Sequence, residues 1–382
     1  LTDAAVDFNY SNEQVALRET LQRFISRDYD FEQRRELARS PLGFSAAAWS
    51  RFAELGFLSL PFPEDCGGLG GNSVDVMLVM EMVGRGLLLE PYLSSIVMCG
   101  GLIRDAASDA LKRQLLPRIA GGECKLALAC HEAAARYDLS QVACTATRSG
   151  DGWRLSGRKT VVLDAPSADY FLVSARSGGN SRDERGISVF LIGRDAPGLD
   201  LFAFPTQSGG RAADVRLADV ALGPDALIGA AGEGLGLIER AADKGIAALC
   251  AEAVGIIAAL NEATLNHLKT RKQFGVPIGK FQALQHRMAD MLIAAEQARS
   301  MAIFAAVYAD SENARERCRA VSGAKAYVGQ AARLVGQQAV QMHGAMGVVD
   351  ELIVSHYFKR LTMIDLTLGD ADFHLERFSR LL

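Results

Sequence analysis

This chain has little of what metal, disulfide or membrane chemistry needs. Its seven cysteines (Cys66, Cys99, Cys124, Cys130, Cys144, Cys250 and Cys318) are scattered without paired CxxC spacing. That excludes a zinc ribbon or a dithiol redox motif and favours free thiols in a reducing, cytoplasmic setting. The six histidines fall into no HExxH or other close ligand spacing, so no metal site is expected. No run reaches the roughly 18 uninterrupted apolar residues of a membrane span. The start, Leu1-Thr2-Asp3-Ala4-Ala5, shows neither a basic n-region nor an apolar h-region. Charge of one sign is also lacking: 41 Lys and Arg against 45 Asp and Glu leave a formal net charge of −4. No global field would hold nucleic acid or an anionic membrane. The glycine cluster Gly67, Gly68, Gly70, Gly71 matches neither a Walker loop nor a GxGxxG after a strand.

What is present is apolar periodicity over most of 382 residues, 49% of them hydrophobic, enough for two or three packed modules. Residues 1–123 read as helical: Val15, Leu17, Leu21, Phe24 and Ile25 form one stripe and Val76, Leu78, Val79, Met82 and Val83 another. Residues 124–230 change to short β-like runs. Two of these flank Ser149-Gly150-Asp151-Gly152, a hairpin signal. Residues 231–382 return to the helical period. Val321, Val328, Val335 and Met342 recur every seven residues, and the runs from Leu237 to Lys272 and from Gln282 to Ala309 are long. The chain is therefore α+β in the order α, β, α, with a helical C-terminal unit able to bury its flanks against another subunit.

Two short segments carry the most chemistry. Arg271-Lys272-Gln273-Phe274-Gly275 and, about seventy residues on, Gln341-Met342-His343-Gly344 each join polar or cationic groups to a glycine beside an apolar-periodic run. Helix ends with this make-up suit a large, flat, phosphate-bearing cofactor. Taken singly the same residues have ordinary readings. Arg271 could be a surface helix cation, Phe274 a core ring, and Gln341 and His343 polar caps.

Together with further local sequences, these segments resemble the acyl-CoA dehydrogenase family over nearly the full chain. Pro63-Glu64-Asp65-Cys66-Gly67-Gly68-Leu69-Gly70 resembles its PEExGGxG loop, Leu116 to Glu123 its LPxIAxGE stretch, and Leu155 to Thr160 its LxGxKxxI strand. The most specific match is Lys269 to Ile278, followed by Phe281-Gln282-Ala283-Leu284-Gln285-His286. The resemblance implies an N-terminal helical domain, a small middle β-sheet or barrel domain and a C-terminal four-helix bundle. It also implies a tetramer carrying FAD, a coenzyme A thioester as substrate, and an electron-transfer flavoprotein as acceptor. The reaction it implies removes the α-proton to a carboxylate and the β-hydride to the flavin, giving a trans-2-enoyl-CoA. Arg271, Phe274, Gln282, Gln341, His343 and Gly344 match the set that one protomer offers to the adenosine and pyrophosphate end of its neighbour's FAD.

The match breaks where the family meets the reactive ring. Its TEPxAGSD becomes His131-Glu132-Ala133-Ala134-Ala135-Arg136-Tyr137-Asp138, and its WITNG becomes Val161-Val162-Leu163-Asp164-Ala165. Bulk thus replaces a glycine and a serine, and Leu163 replaces a hydroxyl. The acid of the YEGT-like element becomes Leu368 in Thr367-Leu368-Gly369-Asp370, and the alternative helical position for the base is Ile246. Asp370 is the nearest substitute, though it also suits a cap for a last helix starting near Phe373. The chain is similar to the small-subunit type of heteromeric bacterial acyl-CoA dehydrogenases, of the pimeloyl-CoA dehydrogenase small-subunit kind. The expectation is a non-base-bearing subunit of an α2β2 tetramer. The alternatives are a self-sufficient homotetramer using Asp370 or Glu132, and a flavin-free scaffold.

Overall fold

The computed structural model describes residues 10–382; the opening residues weighed above as a possible leader lie outside that range. The N-terminal unit contains α1 (Asn12–Asp28), α2 (Phe31–Arg39), α3 (Ala46–Glu54), α4 (Ser73–Gly86), a π-helical segment (Tyr92–Gly100), α5 (Gly101–Ala106) and α6 (Asp109–Ala120). Local chemistry sets the starts: Ser11 and Gln14 form a capping box before α1, and Asn72 and Asp75 another before α4. The Val76 to Val83 stripe is buried as read. On α1, Leu21 and Phe24 are buried and Leu17 and Ile25 pack partly buried against the core, whereas Val15 faces solvent.

The middle unit is one sheet of β1 (Leu126–Ala129), β2 (Thr145–Ser149), β3 (Gly152–Leu163), β4 (Tyr170–Arg176), β5 (Ile187–Gly193), β6 (Leu199–Pro205), β7 (Arg211–Leu222) and β8 (Leu227–Ile228). Its order is β6-β7-β3-β2-β4-β5-β8, with β1 added parallel to β4. The predicted hairpin closes with Ser149 opposite Gly152. Near its end β3 slips register against β7 between Lys159 and Val162, and Val161 takes φ 51°. This bulge turns Thr160 and Leu163 toward the helices.

The C-terminal unit contains α7 (Gly234–Thr270), a hairpin of β9 (Lys272–Gln273) and β10 (Val276–Pro277), then α8 (Gln282–Ala309), α9 (Ala314–His343), α10 (Ile353–Leu366) and α11 (Ala371–Ser379). The heptad residues Val321, Val328, Val335 and Met342 are all buried along α9. By length and composition α7 could cross a bilayer, but 78% of its apolar window is buried in the fold. It is the central core helix. A Cβ on Gly84 would overlap the Glu252 carbonyl and one on Gly255 the Glu81 carbonyl, so α4 docks against α7 at backbone contact. The two helical units thereby share one core, and the sheet packs against their open end.

Candidate active site

A largely apolar cleft of about 640 Å³ lies between the sheet, the π-helical segment and the end of α10. Met98 and Ser94 come from the π-helical segment, Thr160 and Leu163 from the β3 bulge, and Phe204 and Thr206 from the end of β6. The loop after β1 adds His131, Glu132, Arg136 and Tyr137, and the turn after α10 adds Leu368. A second cleft of about 520 Å³ lies on the far side of Tyr137 and Leu368, lined by polar groups including Glu239, His374 and Arg377.

Both acids that line the first cleft are engaged. Glu132 accepts hydrogen bonds from the Ala143 and Cys144 amides at 2.8 and 3.0 Å and from Lys159 Nζ at 2.6 Å. Lys159 is fully buried and also donates to Ser174 Oγ at 2.9 Å. Asp214 pairs with Arg158 at 2.6 Å and accepts from the Val161 amide at 3.1 Å. Each carboxylate thus has one cationic partner and at least one backbone amide donor that fix its orientation.

Leu368 occupies the position where the acid was sought, with φ 59°, in a turn fixed from behind. Lys325 Nζ, fully buried, donates to the Ile364, Asp365 and Gly369 carbonyls at 2.8, 2.9 and 2.7 Å, matching its three protons to three acceptors. His374 Nε2 lies 3.0 Å from the Leu368 carbonyl. Burial, followed by the Lys325 charge, pushes His374 down to about 3, so its ring is neutral and donates there. Asp370 caps α11, accepting from the Phe373 amide at 2.9 Å, and is not among the residues lining either cleft. Burial, followed by the Asp370 charge, raises the Tyr137 phenol.

The second motif group lies at the other end of the bundle. Arg271 is the exposed C-cap of α7. The hairpin that follows puts Phe274 and Gly275 at φ 53° and 78°, and the Phe274 ring is 90% exposed. A non-glycine residue held in the left-handed region costs on the order of 1 kcal/mol, here to present an aromatic ring outward. Phe281 meets it edge-on with centroids 6.1 Å apart, and Gln282 opens α8. Gln341 is exposed, Gly344 ends α9 at φ 63°, and His343 is buried with Nδ1 2.8 Å from the Ala339 carbonyl. His343 stacks on His267, which links this end of α9 to the last turn of α7. None of the six predicted cofactor residues lines the chain's own cleft.

Sequence reading missed His131 and Tyr137 as shared walls of the two clefts, and it missed Glu239 and Asp164. Glu239 lies seven residues, about two helical turns, before Ile246 on α7, so a scan along that helix face would have found it. Its carboxyl is raised, chiefly by burial. Asp164 is pushed up to about 6 by burial, against the hydrogen bond that Ser94 Oγ donates at 2.5 Å.

Family models described as the N-terminal, middle and C-terminal domains of acyl-CoA dehydrogenase match residues 11–123, 127–220 and 232–382. A probable acyl-CoA dehydrogenase, YngJ, of Bacillus subtilis is 27% identical over 372 residues, covering 96% of this chain and 97% of the relative. Among solved structures, a variant of the Tcur3481-Tcur3483 steroid ACAD superposes with a TM-score of 0.87 at 29% identity, covering 97% of each chain. The ChsE4-ChsE5 complex from Mycobacterium tuberculosis gives 0.88 at 26% identity, covering 98% of each. With three domains in the same order and matches spanning nearly its whole length, this chain belongs to the acyl-CoA dehydrogenase family of FAD-dependent oxidoreductases.

Proposed function

We propose that this chain is the non-base-bearing subunit of a mixed α2β2 acyl-CoA dehydrogenase and donates half of an FAD site to a homologous partner chain. The reaction is α,β-dehydrogenation of an acyl-CoA thioester to the trans-2-enoyl-CoA. When bound, FAD supplies the hydride acceptor. Arg271 offers an exposed guanidinium to phosphate, Phe274 an exposed ring to a flat aromatic surface, and Gln282 and Gln341 amides to hydroxyl and phosphate oxygens. His343 holds the end of α9 so that the Gly344 backbone stays accessible. These residues fit the dinucleotide tail. The ring end fits less well, since Leu163 brings no hydroxyl and Arg136 and Tyr137 project into the cleft. The proton-abstracting carboxylate, the acyl pocket and most ring contacts are assigned to the partner, and electrons would leave to an electron-transfer flavoprotein.

One observation carries this reading: Leu368 stands at the base position while Glu132 and Asp214, the acids lining the same cleft, are tied to Lys159 and Arg158. The two solved structures described above are named as pairs of gene products, which supports a paired assembly here. The test is acceptor reduction with a panel of acyl-CoA thioesters, using the purified chain alone and co-expressed with a homologous subunit. Turnover only with the partner is expected. Comparable turnover by the chain alone favours the second reading, a self-sufficient homotetramer, for which the retained 640 Å³ cleft is the supporting observation.

A further inference from the structure

We propose that Cys130 and His131 form a nucleophilic pair in the first cleft that adds to an α,β-unsaturated thioester, so that the product class of the reaction becomes a covalent ligand of this chain. The identity of that product rests on the reading above. Neither side chain takes part in the dehydrogenation described there.

Cys130 directly follows β1 and is the one cysteine of seven that lines either cleft. His131, the next residue, lines both. Met98, Leu128, Leu163 and Phe204 give the first cleft apolar wall, and its volume of about 640 Å³ is ample for an acyl chain. The pair is held from behind: the Thr160 amide donates to the His131 carbonyl at 2.9 Å, and the fully buried Lys159 Nζ bonds Glu132 at 2.6 Å. Burial alone would raise the Cys130 thiol, but the His131 charge, a hydrogen bond with His131 and the Lys159 charge together hold it below its ordinary value. His131 is raised in turn, chiefly by the Cys130 charge. Cys99 of the π-helical segment also faces this sulfur, and burial keeps it a neutral thiol. The six other thiols are all raised, with burial as the largest cause. Thiolate character and access to a cleft therefore coincide at one sulfur.

The step is a conjugate addition. The Cys130 thiolate forms a carbon–sulfur bond at the β-carbon, the double-bond pair moves to the α-carbon, and the His131 imidazolium gives its proton there. Nothing is oxidised or reduced, and the thioester stays whole. An enoyl thioester suits this pair because its β-carbon is electrophilic while the alkyl chain beyond it can be buried against the apolar wall.

The test incubates the full-length chain with crotonyl-CoA, reads its intact mass and maps the site by peptide mass spectrometry. One adduct with the mass of the whole thioester is expected, on Cys130, and none in Cys130→Ser. Mapping on the wild-type chain decides the site even where that variant fails to fold. Iodoacetamide at about pH 7 should alkylate Cys130 at least about tenfold faster than any other thiol. In His131→Gln, with its melting temperature as the check on folding, crotonyl-CoA addition should slow by about tenfold or more. Its alkylation rate should also rise more steeply between about pH 6 and 8 than in the wild type, a change that a merely structural role for His131 would not produce. An unmodified wild-type chain overturns the proposal, as does an adduct on another cysteine, transfer of the crotonyl group alone, or an unchanged pH profile in His131→Gln. Failure of the mixed-subunit reading would show separately, as turnover by the chain alone.

Discussion

His343 stacks on His267 with ring centroids 4.3 Å apart and planes 27° from parallel, joining the last turns of α9 and α7. Burial, followed by the His343 and Arg271 charges, holds His267 below its usual 6.5. A base lowered in the fold contributes stability above its unfolded value and loses it as pH falls, because the unfolded chain then takes up the proton first. The stack should therefore weaken below pH 6.5. In His343→Leu, the fall in melting temperature between about pH 6.5 and 5 should be smaller than in the wild type.

Arg271 ends α7 in solvent, so its removal should leave the fold intact. If its guanidinium grips phosphate, Arg271→Ala should weaken FAD retention by the assembled complex by about tenfold or more, the scale of a charge-assisted hydrogen bond. Flavin released on gel filtration, measured by absorbance, gives the answer. An unchanged melting temperature would show that the loss is local.

Asp370 behaves as a cap. Asp370→Ala should cost about 1 kcal/mol of stability through the lost bond to the Phe373 amide. Asp370→Asn keeps an acceptor there and should leave turnover of the complex within about twofold. Steady-state rates decide this, and a large loss in the Asn variant would restore Asp370 as the proton acceptor.

Glu132 and Lys159 form a buried ion pair that ties the 131–138 loop to β3. Removing one partner leaves the other charge uncompensated. Lys159→Met and Glu132→Ala should each destabilise the chain by about 3 to 5 kcal/mol in chemical denaturation, while the double replacement should cost less than the sum.

Glu90 is the clearest pH-dependent group. Burial pushes its carboxyl from 4.5 up to about 7, although the Ser45 and Leu89 amides donate to it at 3.2 and 3.1 Å. A raised acid is protonated in the fold and ionised in the unfolded chain between these values. Its contribution is therefore full below pH 4.5 and lost as pH rises through about 7. That rise corresponds to about 3 kcal/mol, and Glu90→Gln should flatten the stability profile over this window.

Much of this architecture is legible in side-chain order. The seven-residue repeat on α9 and the glycines of the Ser149 to Gly152 turn report local geometry directly. β7 is harder to read, because Arg211-Ala212-Ala213-Asp214-Val215-Arg216 mixes small and charged residues and becomes a strand only by lying between β3 and β6. The π-helical segment at Tyr92–Gly100 leaves no mark in a run that is buried throughout, its two serines included. The loss of an acid at Leu368 is visible in sequence. That Leu368 packs beside Gly245 and lines the same clefts as Tyr137 is not, since three distant segments must first be folded together.

If this chain grips only the tail of a flavin whose ring belongs to another polypeptide, flavin binding depends on the partner. The most direct measurement is the ratio of bound FAD to copies of this chain, alone and with the homologous partner. A nearly colourless chain alone and a yellow complex with one FAD for every two protomers are expected. One tightly held FAD per copy of the chain without any partner would contradict it.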